Sequence, residues 1–393
     1  MILLPEALEG IRVLELGIYL NGPYAGRLLA ELGAEVIKIE PPWGDPMRKS
    51  PPFINNDSLH SIYYNVNKKF ITLNLKSEKG RELFLELTKK SDIIITNFRP
   101  GVLDKLKINY EELKKANHKI ILASSTGYGY NSPYRDLPAF DPIIQALSGM
   151  MDSNGYPDRP TRAGMGLLDF VTAAYTVIAI LAALIYREKT GKGQFIDMSM
   201  YDVSLTLSMQ SLIYLFLGHH PRVGPTSLVF SPEYLYEARD GYVYVILPTD
   251  ESWTNFIKRV GKENLLNDPR FKTVENRISH REEVKKIVQD IFRNMTKDEI
   301  VKLVVDCGGA AAPVRELKEQ FDDPHVKVRD MFVEFLIDTN KLQVPGSSFK
   351  MSETPGTIKW PGLLPGYHNE EIYGKLLGLT REEIEKLKNE GVI

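Results

Sequence analysis

Asp169 stands alone at the head of a long apolar run, and it is the residue of this sequence with the most chemistry to offer. In Gly166-Leu-Leu-Asp169-Phe-Val-Thr172 it is the only charged residue between Arg162 and Arg187. Two readings compete. As a helix N-cap, its carboxylate would satisfy orphan backbone amides, a role worth about 0.5–2 kcal/mol. As a nucleophile, it would be held by the same helix-end amides while Leu and Phe exclude water. An aspartate of ordinary pKa, about 3.9, is ionised at neutral pH and needs no general base, which suits a chain with 7 scattered histidines. On local pattern alone the cap is the commoner meaning.

Other residues could bind rather than react. The stretch Gly17-Ile-Tyr-Leu-Asn-Gly22-Pro23 leads into a helical pattern, so backbone amides and a helix start would face an anionic ligand. Its spacing is not G-x-G-x-x-G, so Glu40 at the end of the next strand does not by itself mark a nicotinamide site. Basic residues recur at loop positions: Arg48, Lys68, Lys69, Lys76, Arg99 within Asn97-Phe-Arg-Pro-Gly101, and Lys105. Each alone reads as a solvated charge. Together, after successive strands, they could neutralise a phosphate-bearing ligand through charge-assisted hydrogen bonds.

These residues need a scaffold, and the pattern supplies one. Strands are predicted at Ile11–Leu16, Val36–Glu40, Phe70–Leu75, Ile93–Thr96 and Ile120–Ser124, with helices at Pro23–Leu32, Gly80–Lys90 and Tyr110–Ala116. Such alternation predicts a doubly wound, Rossmann-like α/β domain, whose ligands bind in loops at the carboxyl ends of its strands. The 17 residues Phe170–Tyr186 form a buried helix in this reading. Gln194–Ser199 is a further strand, Tyr201–Gly218 is helical, and Pro221–Pro232 is a connector. A smaller α/β domain follows over about 225–325, with a strand at Tyr242–Leu247, and the tail from Pro365 ends in helices.

Composition narrows the class. With 43% hydrophobic and 25% charged residues the chain folds, and 49 Lys plus Arg against 51 Asp plus Glu leave a net charge of -2. Neither a nucleic acid nor a membrane is an expected partner. A single cysteine, Cys307, excludes an internal disulfide or a cysteine zinc cluster and points to a reducing compartment, the cytoplasm. No metal site is expected.

The chain resembles the class III CoA-transferases, the family of formyl-CoA transferase and carnitine CoA-transferase. The resemblance is carried by Leu8-Glu-Gly-Ile-Arg-Val-Leu-Glu15, Leu32-Gly-Ala-Glu-Val-Ile-Lys-Ile-Glu40, Gly44-Asp45 with Arg48, and Asn67-Lys-Lys-Phe-Ile-Thr-Leu-Asn-Leu-Lys76. It continues through Asp92-Ile-Ile-Ile-Thr-Asn-Phe-Arg-Pro-Gly101, Phe140-Asp141, Arg187-Glu-Lys-Thr-Gly-Lys-Gly-Gln194, Asp268-Pro-Arg-Phe271, Ala312-Pro-Val314 and Asp323-Pro324.

The resemblance implies that Asp169 is catalytic, moving CoA from an acyl-CoA thioester to a carboxylic acid through aspartyl anhydride and aspartyl-CoA intermediates. Coenzyme A is then part of the substrate, with no permanently bound cofactor. It also implies that Tyr19, Leu20, Asn21, Arg48, Leu73, Asn74, Leu75, Lys76, Asn97, Phe98, Arg99, Lys105, Phe140 and Asp141 lie along the bound CoA. Pro41 replaces an arginine common in the family, and Arg48 or Lys68 are the candidates to supply that contact.

In domain terms the implied layout is a CoA-binding domain over 1–200, a linker over 201–224, the small domain, and a segment 326–393 that returns to the large domain, in an interlocked homodimer. The same fold carries α-methylacyl-CoA racemases, which use a histidine where this chain has Phe140, a side chain unable to move a proton. A noncatalytic acyl-CoA-binding protein is the other alternative. The multi-glycine loop of formyl-CoA transferase is missing, which argues against oxalate and formate as the acid pair.

Overall fold

Short β-branched runs separated by amphipathic helices can bury both faces of a strand only inside a covered parallel sheet. The computed structural model describes residues 6–337 and 339–393. It contains β1 (Arg12–Glu15), β2 (Glu35–Glu40), a small hairpin β3 (Phe53–Ile54) and β4 (Asp57–Ser58), β5 (Lys69–Thr72), β6 (Ile93–Thr96), β7 (Ile121–Thr126) and β8 (Phe195–Ser199). Six of these pair in the order β5-β2-β1-β6-β7-β8, all neighbours parallel. With the hairpin set aside, this is the doubly wound order, and the strand sequence reverses direction between β1 and β6.

The helices of this region are α1 (Asn21–Glu31), α2 (Leu59–Tyr64), α3 (Glu78–Lys89), α4 (Val102–Lys105), α5 (Tyr110–Ala116), α6 (Asp141–Leu147), α7 (Met150–Ser153), α8 (Leu167–Thr190) and α9 (Met200–Leu207). One sheet face packs Leu14, Ile37, Ile71, Ile94 and Leu122 against Leu83, Phe84 and Leu87 of α3 and Leu113 of α5. The other packs Val13, Val36, Ile93, Ile95 and Ile121 against Leu28 and Leu29 of α1 and Val177, Ile180 and Leu184 of α8. Each such burial stabilises by about 1.5–3 kcal/mol. α8 is long and apolar enough to cross a membrane by length and composition, yet one of its faces lies on this sheet.

The chain divides into two units. The first comprises Met1–Met150, Ala163–Leu207 and Pro324–Ile393, the second Met151–Arg162 and Ser208–Asp323. Unit 2 holds α10 (Met209–Phe216), the antiparallel strands β9 (Glu233–Ala238), β10 (Gly241–Ile246) and β11 (Ala310–Pro313), and helices α11 (Asp250–Arg259), α12 (Val274–Ser279), α13 (Arg281–Phe292) and α14 (Lys297–Asp306). Trp253, Phe256, Val284, Val288, Phe292 and Ile300 cover its sheet. Unit 1 resumes with α15 (Pro324–Val328), a hairpin of β12 (Phe332–Ile337) and β13 (Asn340–Pro345), and α16 (Arg381–Asn389).

The β3–β4 hairpin, α2, α6, α7 and β11 are among the elements absent from the sequence reading, and three further elements depart from it. The helix expected over Tyr201–Gly218 is two helices, interrupted at Ser208. β9 follows the proline-rich connector unannounced, because its alternation is blurred by glutamates at both ends. The return segment carries the β12–β13 hairpin, where a linker was expected.

Residues 366–393 close the open edge of the sheet. Along β5, the Phe70 amide donates to His368 Nδ1 at 2.9 Å and the His368 amide donates to the Phe70 carbonyl at 2.8 Å. Asn369 Oδ1 takes the Thr72 amide at 3.0 Å. A strand edge covered in this way cannot recruit another chain.

His368 must be neutral at Nδ1 to accept, and burial pushes its pKa below the usual 6.5, with Glu371 opposing and Lys69 assisting. The unfolded chain therefore takes up a proton near pH 6.5 that the folded chain refuses. The His368 contribution is complete above about pH 6.5 and declines as pH falls below it, toward the depressed folded value. We expect His368→Asn, which keeps an acceptor but cannot titrate, to lose melting temperature less steeply than wild type on acidification below pH 6.5. Parallel slopes would contradict this assignment.

Candidate active site

At the carboxyl ends of the parallel strands, unit 1 has a cavity of about 390 Å³. The β1–α1 turn contributes Ile18, Tyr19, Leu20 and Asn21; the loop after β6 contributes Asn97, Phe98, Arg99, Pro100 and Val102. Ser125 to Tyr128 follow from the end of β7, then Arg135, Leu137, Ala139 and Phe140, with Met200 after β8 and Asp169 from α8. The crevice lies where the strand order reverses, as expected for an open α/β sheet.

The start of α8 differs from the N-cap reading. Gly166, at φ 70°, is the N-cap, and Asp169 lies inside the first turn. The amide of Leu168 donates instead to Asp141 Oδ2 at 2.7 Å, so a carboxylate from α6 caps α8. Asp169 sits one residue further along the first turn, where the helix amino terminus favours its charge. Asn21 Nδ2 donates to the Asp169 carbonyl at 3.4 Å and ties the β1–α1 turn to the start of α8.

Beside the aspartate, Phe170 meets Tyr24 edge-on at 4.7 Å and Tyr64 at 6.1 Å. Burial, reinforced by the Asp169 charge, raises the Tyr64 phenol above its ordinary range. On the cavity wall Tyr19 meets Phe140 at 6.1 Å, also edge-on. The nucleophile candidate is therefore half-buried among aromatic and aliphatic side chains.

The predicted binding residues separate into two groups. Tyr19, Leu20, Asn21, Asn97, Phe98, Arg99 and Phe140 line the cavity with Asp169. Arg48, Leu73, Asn74, Leu75, Lys76, Lys105 and Asp141 are not among its lining residues. Arg48 is committed elsewhere, donating to Glu40 at 2.7 Å and to the Leu363 carbonyl at 2.8 Å, with Asp57 at 3.3 Å. Leu73 belongs to the hydrophobic core. Asn74 turns toward the Gly391 carbonyl, and Lys76 lies over the Trp43 ring at 5.7 Å.

Neither candidate for the contact missing at Pro41 is available, because Lys68 is fully buried and engaged on three sides. Ser125, Tyr128, Arg135 and Met200 were not anticipated. The crevice rule would have indicated Ser125 to Tyr128, which directly follow a predicted strand.

Beneath the β1–α1 turn lies a buried ionic network. Lys38 Nζ reaches Glu15 Oε1 at 3.1 Å, the Gly17 carbonyl at 2.8 Å and Asp45 Oδ2 at 3.2 Å. Lys68 Nζ reaches Glu15 Oε2 at 2.5 Å, the Pro23 carbonyl at 2.6 Å and Asn65 Oδ1 at 2.7 Å. Burial opposes the charge on Lys38, but Glu15, Asp45 and Glu40 outweigh it and raise its pKa. For Lys68 burial prevails and lowers the pKa to about 7. α1 admits this network only because residue 26 is glycine: a Cβ there would fall on Glu15 Oε2.

A doubly wound sheet with a crevice at the carboxyl ends of its strands has the layout of an α/β ligand-binding protein. The chain belongs to CoA-transferase family III, which it matches over residues 8–369, and is accordingly a transferase of that class.

It is 35% identical over 399 residues to the succinyl-CoA–D-citramalate CoA-transferase of Chloroflexus aurantiacus, covering 99% of this chain and 98% of the relative. The succinate–glutarate CoA-transferase of Agrobacterium fabrum is 34% identical, with 95% and 96% covered. The formyl-CoA:oxalate CoA-transferase of Streptomyces avermitilis is 33% identical, with 99% and 100% covered. Among solved structures, a CAIB/BAIF family protein from Brucella suis superposes with a TM-score of 0.83 at 32% identity, covering 94% of this chain and 99% of that one.

Proposed function

We propose that this protein transfers CoA from an acyl-CoA thioester to a carboxylic acid, with Asp169 as the nucleophile. The observation that carries the reading is a carboxylate in the first turn of α8, set in the wall of the crevice. An Asp169 oxygen attacks the thioester carbonyl, the C–S bond breaks, and CoA leaves as thiolate, giving a mixed anhydride. The thiolate then attacks the aspartyl carbonyl, releasing the donor acid as carboxylate and forming aspartyl-CoA. An acceptor carboxylate displaces the thiolate to form a second anhydride. Thiolate attack on its acceptor carbonyl yields the new acyl-CoA and restores Asp169. No net proton is exchanged, in keeping with a cavity that histidine does not line. Splitting the transfer into covalent steps lowers each barrier, and the aromatic surroundings keep water from the anhydride.

CoA then runs along Tyr19 to Asn21 and Asn97 to Arg99. Arg99 carries the side-chain charge nearest that path that is free of an ion pair among the described residues. The acids of the relatives, citramalate, glutarate and oxalate, are dicarboxylates, and we take a dicarboxylate as the acceptor class. We further read the enzyme as a cytoplasmic, interlocked homodimer. The exposed Ile213, Leu215 and Phe216 of α10, 54%, 51% and 90% accessible, support a covering partner.

The test is a panel of acyl-CoA donors and carboxylic acids read by product mass, with light scattering on the same sample. We expect exchange for at least one dicarboxylate, an acyl or CoA adduct on the Asp169 peptide, and a dimer. An adduct on another residue would overturn the mechanism, and a monomer the assembly.

A further inference from the structure

We propose that the buried network of Glu15, Lys38, Asp45 and Lys68 is a positioning device that holds the β1–α1 turn in the shape required to bind the thioester. This rests on the reading of the crevice as a CoA-thioester site, and none of the four side chains lines the cavity.

The turn from Gly17 to Pro23 is held mainly from outside. Lys38 takes the Gly17 carbonyl at 2.8 Å, and Lys68 takes the Pro23 carbonyl at 2.6 Å. Asp45 Oδ1 accepts the Tyr19 amide at 3.3 Å, at a residue forced to φ 60°. Asn97 completes the set by accepting from the Ile18 amide at 2.9 Å and donating to its carbonyl at 2.7 Å. A non-glycine residue at positive φ persists only where its surroundings over-determine it. Glu15 bridges the two ammonium groups, so the anchors at both ends of the turn share one carboxylate.

Stability alone is a poor explanation for such a device. Fully buried ion pairs can often be replaced by apolar side chains of similar volume without loss. What apolar side chains could not do is grip two carbonyls and an amide of the wall that carries Tyr19, Leu20 and Asn21.

Three variants separate position from stability. The combined variant Glu15→Leu, Lys38→Met, Asp45→Asn, Lys68→Met leaves no charge in the buried network, keeps an acceptor for the Tyr19 amide, and is expected to melt close to wild type. Its KM for the acyl-CoA and its Kd for free CoA should both rise by about tenfold or more, with kcat at saturation within about threefold. Asp45→Asn keeps an acceptor for the Tyr19 amide and should stay within about threefold of wild-type KM, whereas Asp45→Leu should not.

Hydrogen exchange of residues 17–23 gives a readout that needs no turnover. We expect faster exchange there in the combined variant and in Asp45→Leu, with α3 unchanged. A folded combined variant with wild-type KM and wild-type protection of residues 17–23 would overturn the proposal. If the combined variant fails to fold, Asp45→Leu with wild-type KM and protection would overturn it equally. Wild type that neither binds CoA nor exchanges acids, while the exchange differences persist, would instead overturn the reading of the site.

Discussion

Asp169→Ala is expected to abolish CoA exchange, lowering kcat by at least about 10³-fold, since no other step can replace a missing covalent nucleophile. The fold should survive the change. Gly166 is the N-cap of α8 and the Leu168 amide is satisfied by Asp141. The helix loses the favourable interaction of an acidic first-turn residue with its dipole, about 0.3–1 kcal/mol. Binding of free CoA should therefore persist while the adduct disappears from the mass spectrum. Asp169→Glu offers a second arm: its carboxylate is displaced by one methylene, and near-attack geometry tolerates little displacement. Exchange within tenfold of wild type in Asp169→Ala, in a folded sample, would refute the nucleophile.

The second large effect is on stability. Glu15→Ala removes the carboxylate shared by two ammonium groups that are both fully buried. Breaking a buried pair by deleting one partner costs about 3–5 kcal/mol. Asp45 still faces Lys38 at 3.2 Å, while Lys68 keeps only the neutral acceptors of Pro23 and Asn65 and, its pKa already lowered to about 7, sheds its proton, so the loss lies at the lower end of that range. Urea denaturation should show a lower midpoint with an unchanged slope. A loss below about 1 kcal/mol would mean that the network relaxes to admit water, and its rigidity would have to be abandoned.

The strands and helices of unit 1 were legible because their signals are local. The reading of Tyr110–Ala116 coincides with α5, and Ile93–Thr96 with β6. The crevice followed from topology, since loops after successive parallel strands must converge. What escaped were effects of distance. Asp141 caps a helix 27 positions away in sequence, and no local pattern around Asp169 could show that.

Arg48 and Lys68 looked like free cations for the same reason. Their acceptors are Glu40, Glu15, and carbonyls at Pro23 and Leu363, brought near only by the folded chain. β9 and the β12–β13 hairpin escaped because their apolar residues alternate weakly with charges and their partners were unknown.

The absence of a side chain at Gly26 has a consequence for engineering. Residues 15, 26, 38 and 68 form a single combinatorial unit, since Glu15 occupies the space above Gly26 and neutralises both lysines. Libraries that randomise these codons one at a time will find mostly dead clones, and a homologue that has altered one of them should have altered the others in concert. Arg135, which lines the cavity and pairs only with its neighbour Asp136 among the described ion pairs, lies outside this unit and can be varied without recruiting three more changes.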